Sequence, residues 1–218
     1  MNKKVLLLGA TGRTGKVLLR QMLDRGYDVN ILIRDRESIV THQNLSVFEG
    51  TLTEENALKK AIEGCQAVIS TLNVSRTSDF PWAKLRTPDD FLSQTISNVI
   101  RLGRGFEIKR VIVLSAWGVG DSNSEIPWWF NWLINNSNIG AAYRDHERQE
   151  NVLINSGIDY TIIRPVGLIN SKKDKKVLVS LGSSAKPALT ISRHNVARFI
   201  ISSLEGDLYL NQIPVIYT

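Results

Sequence analysis

Apolar and polar positions along the chain form two alternating kinds of segment. Short continuous apolar runs are typical of strands buried on both faces of a sheet. Between them lie segments whose apolar residues recur every three or four positions, which is typical of helices packed on a sheet. The pattern predicts strands at 5–8, 29–33, 47–49, 67–72, 110–114, 160–164, 176–181, 188–191 and 208–216, and helices around 17–23 and at 54–62, 89–103, 142–155 and 192–204, with Ser192 as the cap of the last one.

Strands that alternate with helices predict an α/β fold with right-handed crossovers. We expect a single Rossmann-like domain over residues 1–218, with a doubly wound parallel sheet and helices on both faces. Ligands in such folds bind beyond the carboxyl ends of the strands. The loops after the fourth, fifth and sixth strands and the C-terminal segment are therefore expected to form the substrate site.

Composition narrows the possible partners. The formal net charge of +6 suits an anionic ligand, but the charge is too dispersed to require a nucleic acid. Cys65 is the single cysteine, so no internal disulfide can form, and a reducing compartment is expected. The sequence begins without a secretory signal and contains no apolar run of the roughly 18 residues that a membrane span needs. These features predict a cytoplasmic protein, monomeric or weakly dimeric, with neither nucleic acid nor membrane as a partner.

A glycine-rich turn follows the first predicted strand. The sequence GATGRTG spans 9–15 and leads directly into a helical pattern. Glycine permits positive φ and a close approach of the backbone to an anion, and the start of a helix offers free N–H groups. There is no Gly-Lys-Ser/Thr at its end, so the turn is not a Walker loop. It predicts a phosphate site, most plausibly for the pyrophosphate of a dinucleotide.

Arg34 follows the second predicted strand, where such folds contact the adenosine ribose. An arginine there suits a 2′-phosphate, whereas an acidic residue would accept from a 2′-hydroxyl. Arg13 lies in the glycine turn, and we expect the two guanidiniums to converge on the ribose. This predicts NADP (NADPH) as the cofactor, although Asp35, the next residue, leaves NAD open.

An aromatic segment follows the fifth strand. The sequence EIPWWFNWL contains Trp128, Trp129 and Trp132, and Trp117 stands just before it. Aromatic faces suit a planar ring ligand, so these four tryptophans are candidate substrate-binding residues. Ordinary packing and a subunit interface remain alternatives.

Four stretches in order, LLLGATGRTG, ILIRD, LSAWG and SGIDYTIIRPVGL, resemble the atypical short-chain dehydrogenase/reductases. The similarity covers nearly the whole chain and is greatest to the NAD(P)H-binding branch that includes biliverdin reductase B (flavin reductase) and NmrA-like proteins. The resemblance implies that NADP is bound by the residues of the turn, the loops after the third and fourth strands and the end of the sixth strand. The implied residues are Gly9, Thr11, Gly12, Arg13, Thr14, Gly15, Arg34, Thr51, Leu52, Thr71, Leu72, Asn73, Ser115, Pro165 and Val166.

The resemblance also locates the catalytic positions. Relatives that oxidise alcohols use a serine and a Tyr-x-x-x-Lys pair, and Ser115 stands where that serine belongs. Aligning on Glu150 puts Ala142 at the tyrosine and His146 at the lysine. Aligning on Tyr143 instead puts Glu147 at the lysine, so neither register restores the pair. Glu150 is expected to be half-buried and paired with Arg164.

Hydride transfer to a flavin does not need that pair, because stacking and alignment are sufficient. The leading hypothesis is therefore an NADPH-dependent oxidoreductase that reduces a planar acceptor such as a flavin or quinone, with Ser115, Tyr143 and His146 as candidate catalytic residues. An NmrA-like redox sensor without turnover and a sugar epimerase or dehydratase are the alternatives. No metal site is expected from the positions of the histidines and the cysteine.

Overall fold

The computed structural model describes residues 4–35, 41–182 and 187–218. Within these ranges, strands and helices alternate as the sequence pattern predicts. The strands are β1 (Lys4–Leu8), β2 (Asp28–Ile33), β3 (Leu45–Glu49), β4 (Ala67–Ser70), β5 (Arg110–Leu114), β6 (Asp159–Pro165), β7 (Gly167–Ile169), β8 (Leu178–Ser180), β9 (Thr190–Ser192) and β10 (Val215–Tyr217). The helices are α1 (Arg13–Asp24), α2 (Glu55–Ile62), α3 (Phe91–Gly103), α4 (Trp128–Asn135), α5 (Ile139–Ile154) and α6 (Arg193–Glu205).

The main sheet has the order β3-β2-β1-β4-β5-β6-β10-β8. Every neighbouring pair runs parallel except β10 with β8. The fold prediction of a Rossmann-like α/β protein with a largely parallel sheet is confirmed. β7 and β9 form a separate two-stranded parallel sheet.

Side chains of the central strands alternate between two apolar layers. In β1, Leu7 packs on the layer that contains helices α1 and α6, whereas Leu6 packs on the layer of α2, α3 and α5. Period-two alternation explains why a continuously apolar strand feeds two cores. Helices therefore cover both faces, and the loops at the carboxyl ends of β1, β4, β5 and β6 are left to form a site.

Helix α6 begins where the sequence predicted. The Ser192 side chain accepts a hydrogen bond from the Asn195 backbone N–H, which is the geometry of an N-cap. Helix α5 begins at Ile139, three residues before the predicted start at 142, because the Gly140-Ala141 pair continues the helix without apolar periodicity.

Two segments differ from the sequence prediction. The long closing strand at 208–216 is wrong, because only Val215–Tyr217 is extended. Asp207, Tyr209 and Asn211 instead have positive φ values of 47°, 57° and 55°, which belong to turns. The aromatic segment, for which no element was predicted, forms α4.

Candidate cofactor site and acceptor cleft

The glycine turn joins β1 to α1 at the centre of the sheet. Gly9 has a φ of +80°, and its carbonyl oxygen accepts the Gly12 N–H at 2.9 Å. Gly12 precedes α1 as its N-cap, and no side chain caps the helix. The first N–H groups of a helix lack intrahelical partners, so this end of α1 offers donors to an anion.

The three glycines of the turn have different roles. A Cβ on Gly15 would lie 2.0 Å from the Gly9 carbonyl oxygen. Glycine is therefore needed at this position for the helix to pack closely on the strand. A Cβ on Gly9 would lie 3.0 Å from Thr71, whose hydroxyl donates to the Leu8 carbonyl oxygen at 3.1 Å. Gly12 is exposed, and a Cβ there would meet only the Gly9 oxygen, at 3.1 Å. The open side of the cradle is thus at Gly12, and the cradle fits a phosphate group.

The other turn residues differ in exposure: Thr11 is exposed at the top of the turn, whereas Thr14 is buried beneath it. After β4, the Leu72 side chain packs on the layer of α2, α3 and α5. Next to it, Asn73 lines the cleft described below, and its side-chain oxygen accepts the Val74 N–H at 2.8 Å. The tips of β1 and β4 therefore form one continuous surface.

Arg34 is exposed directly after β2, and no hydrogen bond or ion pair to another described residue holds its guanidinium. After β3, the Thr51 hydroxyl donates to the Glu54 carboxylate at 3.0 Å, so its proton already has an acceptor. Leu52 packs on the layer of α2, α3 and α5. These placements leave Arg34 as an accessible cation at this edge of the turn.

Arg13 lies elsewhere than the sequence indicated. Its guanidinium donates two parallel bonds of 2.9 Å to the carboxylate of Asp79, in the loop after β4. In the sheet order, β4 lies on one side of β1 and β2, which carries Arg34, lies on the other. The expected convergence of Arg13 and Arg34 on one ribose is therefore wrong for this conformation: the two side chains serve opposite sides of the turn.

A cleft of about 540 Å³ opens beside the turn, at the carboxyl ends of β4, β5 and β6. Its walls combine aromatic and aliphatic groups with three arginines. Among its lining residues are Arg13, Asn73, Arg76, Asp79, Ser115, Trp117, Trp129, Phe130, Ala142, Tyr143, His146, Pro165, Val166, Leu168, Leu189 and Arg193. Its size and mixed walls are typical of a small-molecule site.

Ser115 lies at the end of β5 and is held by a buried carboxylate. Its hydroxyl donates to Glu150 Oε1 at 2.5 Å, and Arg164 donates to both oxygens of the same carboxylate, at 3.0 and 2.6 Å. The predicted pairing of Glu150 with Arg164 is confirmed, but Glu150 is fully buried rather than half-buried. The Ser115 proton points away from the cleft, so a ligand meets the oxygen as an acceptor.

Arg164 also binds Asp121, at 2.5 Å, in a short 3₁₀ helix after β5. Burial acts to raise the pKa of Asp121, but the hydrogen bond and charge of Arg164 outweigh it and hold that pKa below the usual value. The anionic Asp121 therefore helps to balance a guanidinium buried in the interior.

Ala142 and His146 face the cleft from α5, one turn apart. His146 is 3% exposed, and its Nδ1 has no hydrogen-bond partner among the described residues. Burial lowers the pKa of His146 to about 4, so the ring is neutral at neutral pH. A neutral imidazole cannot supply the positive charge of a lysine at this position.

Tyr143 lines the same wall and packs edge-on against Phe130, with ring centroids 6.1 Å apart. Its hydroxyl donates to the Trp117 carbonyl oxygen at 3.3 Å. Burial raises the pKa of Tyr143 well above its ordinary value. A phenol with a raised pKa whose proton is directed at a backbone carbonyl is a poor general acid.

The four candidate tryptophans separate into two pairs. Trp117 is buried in the cleft wall, with its Nε1 donating to Glu125 at 3.2 Å, and Trp129 lines the cleft from α4. Trp128 and Trp132 lie on the exposed side of α4 and are not part of the cleft wall. The helical rotation of about 100° per residue explains this, because neighbours in a helix face different directions.

Sequence reasoning missed several residues of the site. Asp79 and Arg193 lie in loops or at a helix start, where no periodicity marks them. Asp145 is fully buried on α5, and its carboxylate accepts the N–H groups of Leu92 at 2.6 Å and Ser93 at 3.3 Å. It thereby caps α3 from another helix. In the sequence, the one sign of this capping role is an acidic residue on the apolar face of α5.

Among the residues that the structure describes, no cluster of histidine, cysteine and carboxylates has the arrangement of a metal site. No helix within the same ranges is both long and apolar enough to traverse a lipid bilayer.

Comparison with known proteins gives one family. A family model described as NAD(P)H-binding matches residues 9–207. The matched region runs from the glycine turn to the residues beyond α6, so it contains every element that lines the cleft.

Two curated relatives align along nearly the whole chain. An uncharacterised chloroplastic protein of Arabidopsis thaliana is 28% identical over 96% of this chain and 73% of its own length. An uncharacterised sugar epimerase, YhfK of Bacillus subtilis, is 29% identical over 93% of this chain and 88% of its own length. With a chloroplastic protein among its relatives, the cytoplasmic location expected for this chain stays a prediction.

A solved structure has the same fold. A short-chain dehydrogenase/reductase from Veillonella parvula, in complex with NADP, superposes with a TM-score of 0.79 at 20% identity. The superposition covers 100% of this chain and 95% of the other.

Proposed function

This chain belongs to the NAD(P)H-binding family, and from that premise we propose that it is an NADPH-dependent oxidoreductase that passes hydride to a planar acceptor such as a flavin or quinone. The observation that carries the proposal is the cleft beside the glycine turn: its walls include several aromatic rings, and in neither register of α5 do a tyrosine and a lysine occupy the two catalytic positions together. Such a cleft favours a reaction that needs alignment more than proton transfer.

The residues of the turn hold the cofactor in this proposal. Gly12 and the uncapped start of α1 bind the pyrophosphate, and the exposed Arg34 binds the 2′-phosphate. The NAD(P)H-binding family supports a nicotinamide cofactor, and the V. parvula protein, which has the same fold, binds NADP. When bound, the nicotinamide supplies a hydride at C4.

The chain's own residues position the acceptor. Trp117, Trp129 and Tyr143 provide aromatic faces that orient a planar ring and exclude water. The Ser115 oxygen, fixed by Glu150, accepts a hydrogen bond from an N–H or O–H of a ligand. No acidic group among these side chains is aimed into the cleft, so the proton that accompanies hydride comes from solvent.

The same missing pair weighs against the epimerase alternative. YhfK is named a sugar epimerase, and the alternative's chemistry requires a positioned group to move a proton at a sugar carbon. In this cleft Ala142 cannot move a proton, and the raised pKa of Tyr143 makes its hydroxyl a poor proton donor. The sensor alternative shares the absence of the pair, and it differs from the enzyme in having no turnover.

Steady-state NADPH oxidation against a panel of flavins, quinones and nucleotide sugars tests the proposal. We expect turnover with at least one flavin or quinone. Trp129→Ala should raise the acceptor's KM by roughly two- to tenfold, since lost stacking is lost binding. Trp128→Ala, a change on the same helix but away from the cleft wall, is the matched control and should leave KM unchanged.

Tyr143→Phe separates alignment from acid catalysis. Loss of a positioned general acid lowers the rate by about 10²–10⁴-fold. Because the Tyr143 hydroxyl is directed at a backbone carbonyl instead, we expect the substitution to lower turnover by well under 100-fold. A thousandfold loss at unchanged NADPH affinity would make Tyr143 a catalytic acid and favour a carbonyl substrate. Tight NADPH binding without turnover of any acceptor would favour the sensor.

A further inference from the structure

Five large aromatic side chains are exposed beside the cleft. We call Phe80, Trp82, Trp128, Trp129 and Trp132 the aromatic patch; Trp128 is the most exposed, at 82%. The first two lie in the loop after β4 and the others on α4. Contiguous apolar surface on this scale marks an interaction site more often than a plain solvent face.

Polar contacts hold the two halves of the patch together. Trp82 Nε1 donates to the Asn136 carbonyl oxygen at 2.8 Å, one turn after Trp132. The Asn138 side chain donates to the carbonyl oxygens of Trp82 and Ala83 at 2.9 and 3.1 Å. The loop after β4 is thus fixed to the end of α4 through its backbone and the Trp82 N–H, while a large part of each ring stays exposed.

Two exposed cations lie beside the patch, in the loop after β4. Residues 126–139, which include all of α4, contain no Asp, Glu, Lys or Arg. In the adjoining loop, Phe80, Trp82, Lys84 and Arg86 are all exposed, so two aromatic groups and two cations lie within one short surface segment. Neither cation forms an ion pair with another described residue, and the nearby Asp79 is neutralised by Arg13.

We propose that the aromatic patch and the cations Lys84 and Arg86 dock this protein on the surface of an anionic lipid membrane. Tryptophan is suited to the headgroup level of a bilayer, because its ring is apolar and its N–H is polar. Cations beside it gain from the negative potential of anionic lipids. The protein lies on the membrane and does not enter it deeply, since α4 has only eight residues.

A second copy of this chain fits the patch less well. A twofold interface would bring the same surface of both copies together. Each copy would then bring Lys84 and Arg86 to the shared surface, and this doubled positive charge opposes association. An anionic lipid surface complements the same cations.

Docking in this way gives the cleft an orientation. Trp129 belongs both to the patch and to the cleft wall, so the mouth of the cleft faces the bilayer. The sequence predicted no membrane partner because it contains no spanning segment and because the aromatic segment is short; the first reason does not bear on surface docking, and the exposure of the patch in the structure outweighs the second.

Co-sedimentation with vesicles tests the proposal without cofactor or acceptor, so its outcome is independent of the proposed function. We expect the protein to bind phosphatidylcholine–phosphatidylglycerol vesicles, with weaker binding to phosphatidylcholine alone and at high salt. The pair Lys84→Gln and Arg86→Gln should lower the partition coefficient for the mixed vesicles roughly 25-fold, about fivefold for each cation. Trp128→Ala with Trp132→Ala should lower it about tenfold or more.

Matched controls lie on the other side of the molecule. Lys59→Gln with Lys60→Gln removes two exposed cations of α2, and Ile154→Ala removes an exposed apolar side chain of α5. Neither should change vesicle binding. Absence of binding to both kinds of vesicle, or equal loss in the control variants, would overturn the proposal. So would sedimentation equilibrium that shows a dimer abolished by Trp128→Ala, because the patch would then be covered by a second copy.

Discussion

At the scale of single residues, the chemistry of the cleft depends on what stands on one face of α5. Ala142, His146 and Glu150 follow one another at intervals of four residues, and each contacts a different part of the site. Glu150 fixes Ser115, His146 is a buried neutral ring, and Ala142 leaves open space. In the proposed function this face shapes the cleft and orients the ligand, and proton delivery is not assigned to it.

Burial of His146 predicts a pH-dependent stability. The pKa is lowered from 6.5 to about 4 on folding. Above the unfolded value both states are neutral, and stability does not depend on this group. As pH falls from 6.5 towards 4, the unfolded chain takes up the proton first, so the folded state loses up to roughly 3 kcal/mol. Below the folded pKa the loss is complete.

Urea unfolding of the wild type and of His146→Leu between pH 4 and pH 7 measures this contribution. Only the difference in pH dependence is informative, because the substitution also changes packing. We expect the free energy of unfolding of the variant to fall less steeply in acid. If the free energy of unfolding has the same pH dependence in both proteins, the ring takes up its proton as readily in the folded state as in the unfolded state. The ring would then be solvated in the folded protein.

Arg34 predicts the choice of cofactor. Charge-assisted bonds to a phosphate contribute roughly 1.5–3 kcal/mol, so NADPH should bind about ten- to a hundredfold more tightly than NADH. Arg34→Ala should erase most of this preference and leave NADH affinity nearly intact. Arg20→Ala, another exposed arginine but on the flank of α1, is the control for loss of net charge. Equal affinities of the wild type for the two cofactors would contradict the assignment.

At the scale of elements, the turn between β1 and α1 combines two requirements in seven residues. Gly9 and Gly15 allow the helix to pack on the strand, and Gly12 leaves one side of the turn open, which in the proposed function receives the ligand. The three glycines look alike in the sequence, and only their neighbours in space separate their roles.

Matched alanine substitutions should separate these roles. Gly15→Ala places a methyl group 2.0 Å from a carbonyl oxygen and should cost about 3 kcal/mol of stability or more. Gly12 has a φ of −72°, which any residue adopts, so Gly12→Ala should fold normally and lower NADPH affinity by about tenfold or more. Thermal unfolding and fluorescence titration measure the two effects. Unchanged NADPH affinity in folded Gly12→Ala would show that this glycine serves only the turn.

At the scale of the whole molecule, the order of the sheet decides which loops meet. β1 and β4 are neighbours although residues 9–66 separate their ends, so the glycine turn and the loop after β4 share one surface. The Arg13–Asp79 pair connects them across 66 positions of the chain. Both side chains are mostly exposed, so the pair contributes little to stability and leaves the cleft free to adjust.

Much of this architecture was predictable, because it rests on local patterns. Continuous apolar runs gave the central strands to within a few residues, and GATGRTG gave the start of α1. The pattern failed for α4, whose mixture of tryptophan and asparagine has no apolar periodicity, and for 208–214, where positive φ values replace the expected strand. Neither feature has a local signal that distinguishes it from its alternative.

By itself, the sequence determined the fold, the position of the glycine turn and the lack of a tyrosine–lysine pair, since each depends on residue type at a fixed spacing. Only the tertiary structure decided that Arg13 binds Asp79 and not the region of Arg34, that Glu150 holds Ser115, and that Trp129 lines the cleft while Trp128 and Trp132 face outward. These contacts join residues distant in the chain, or depend on the rotation of a helix about its axis. Both are fixed by how the elements pack.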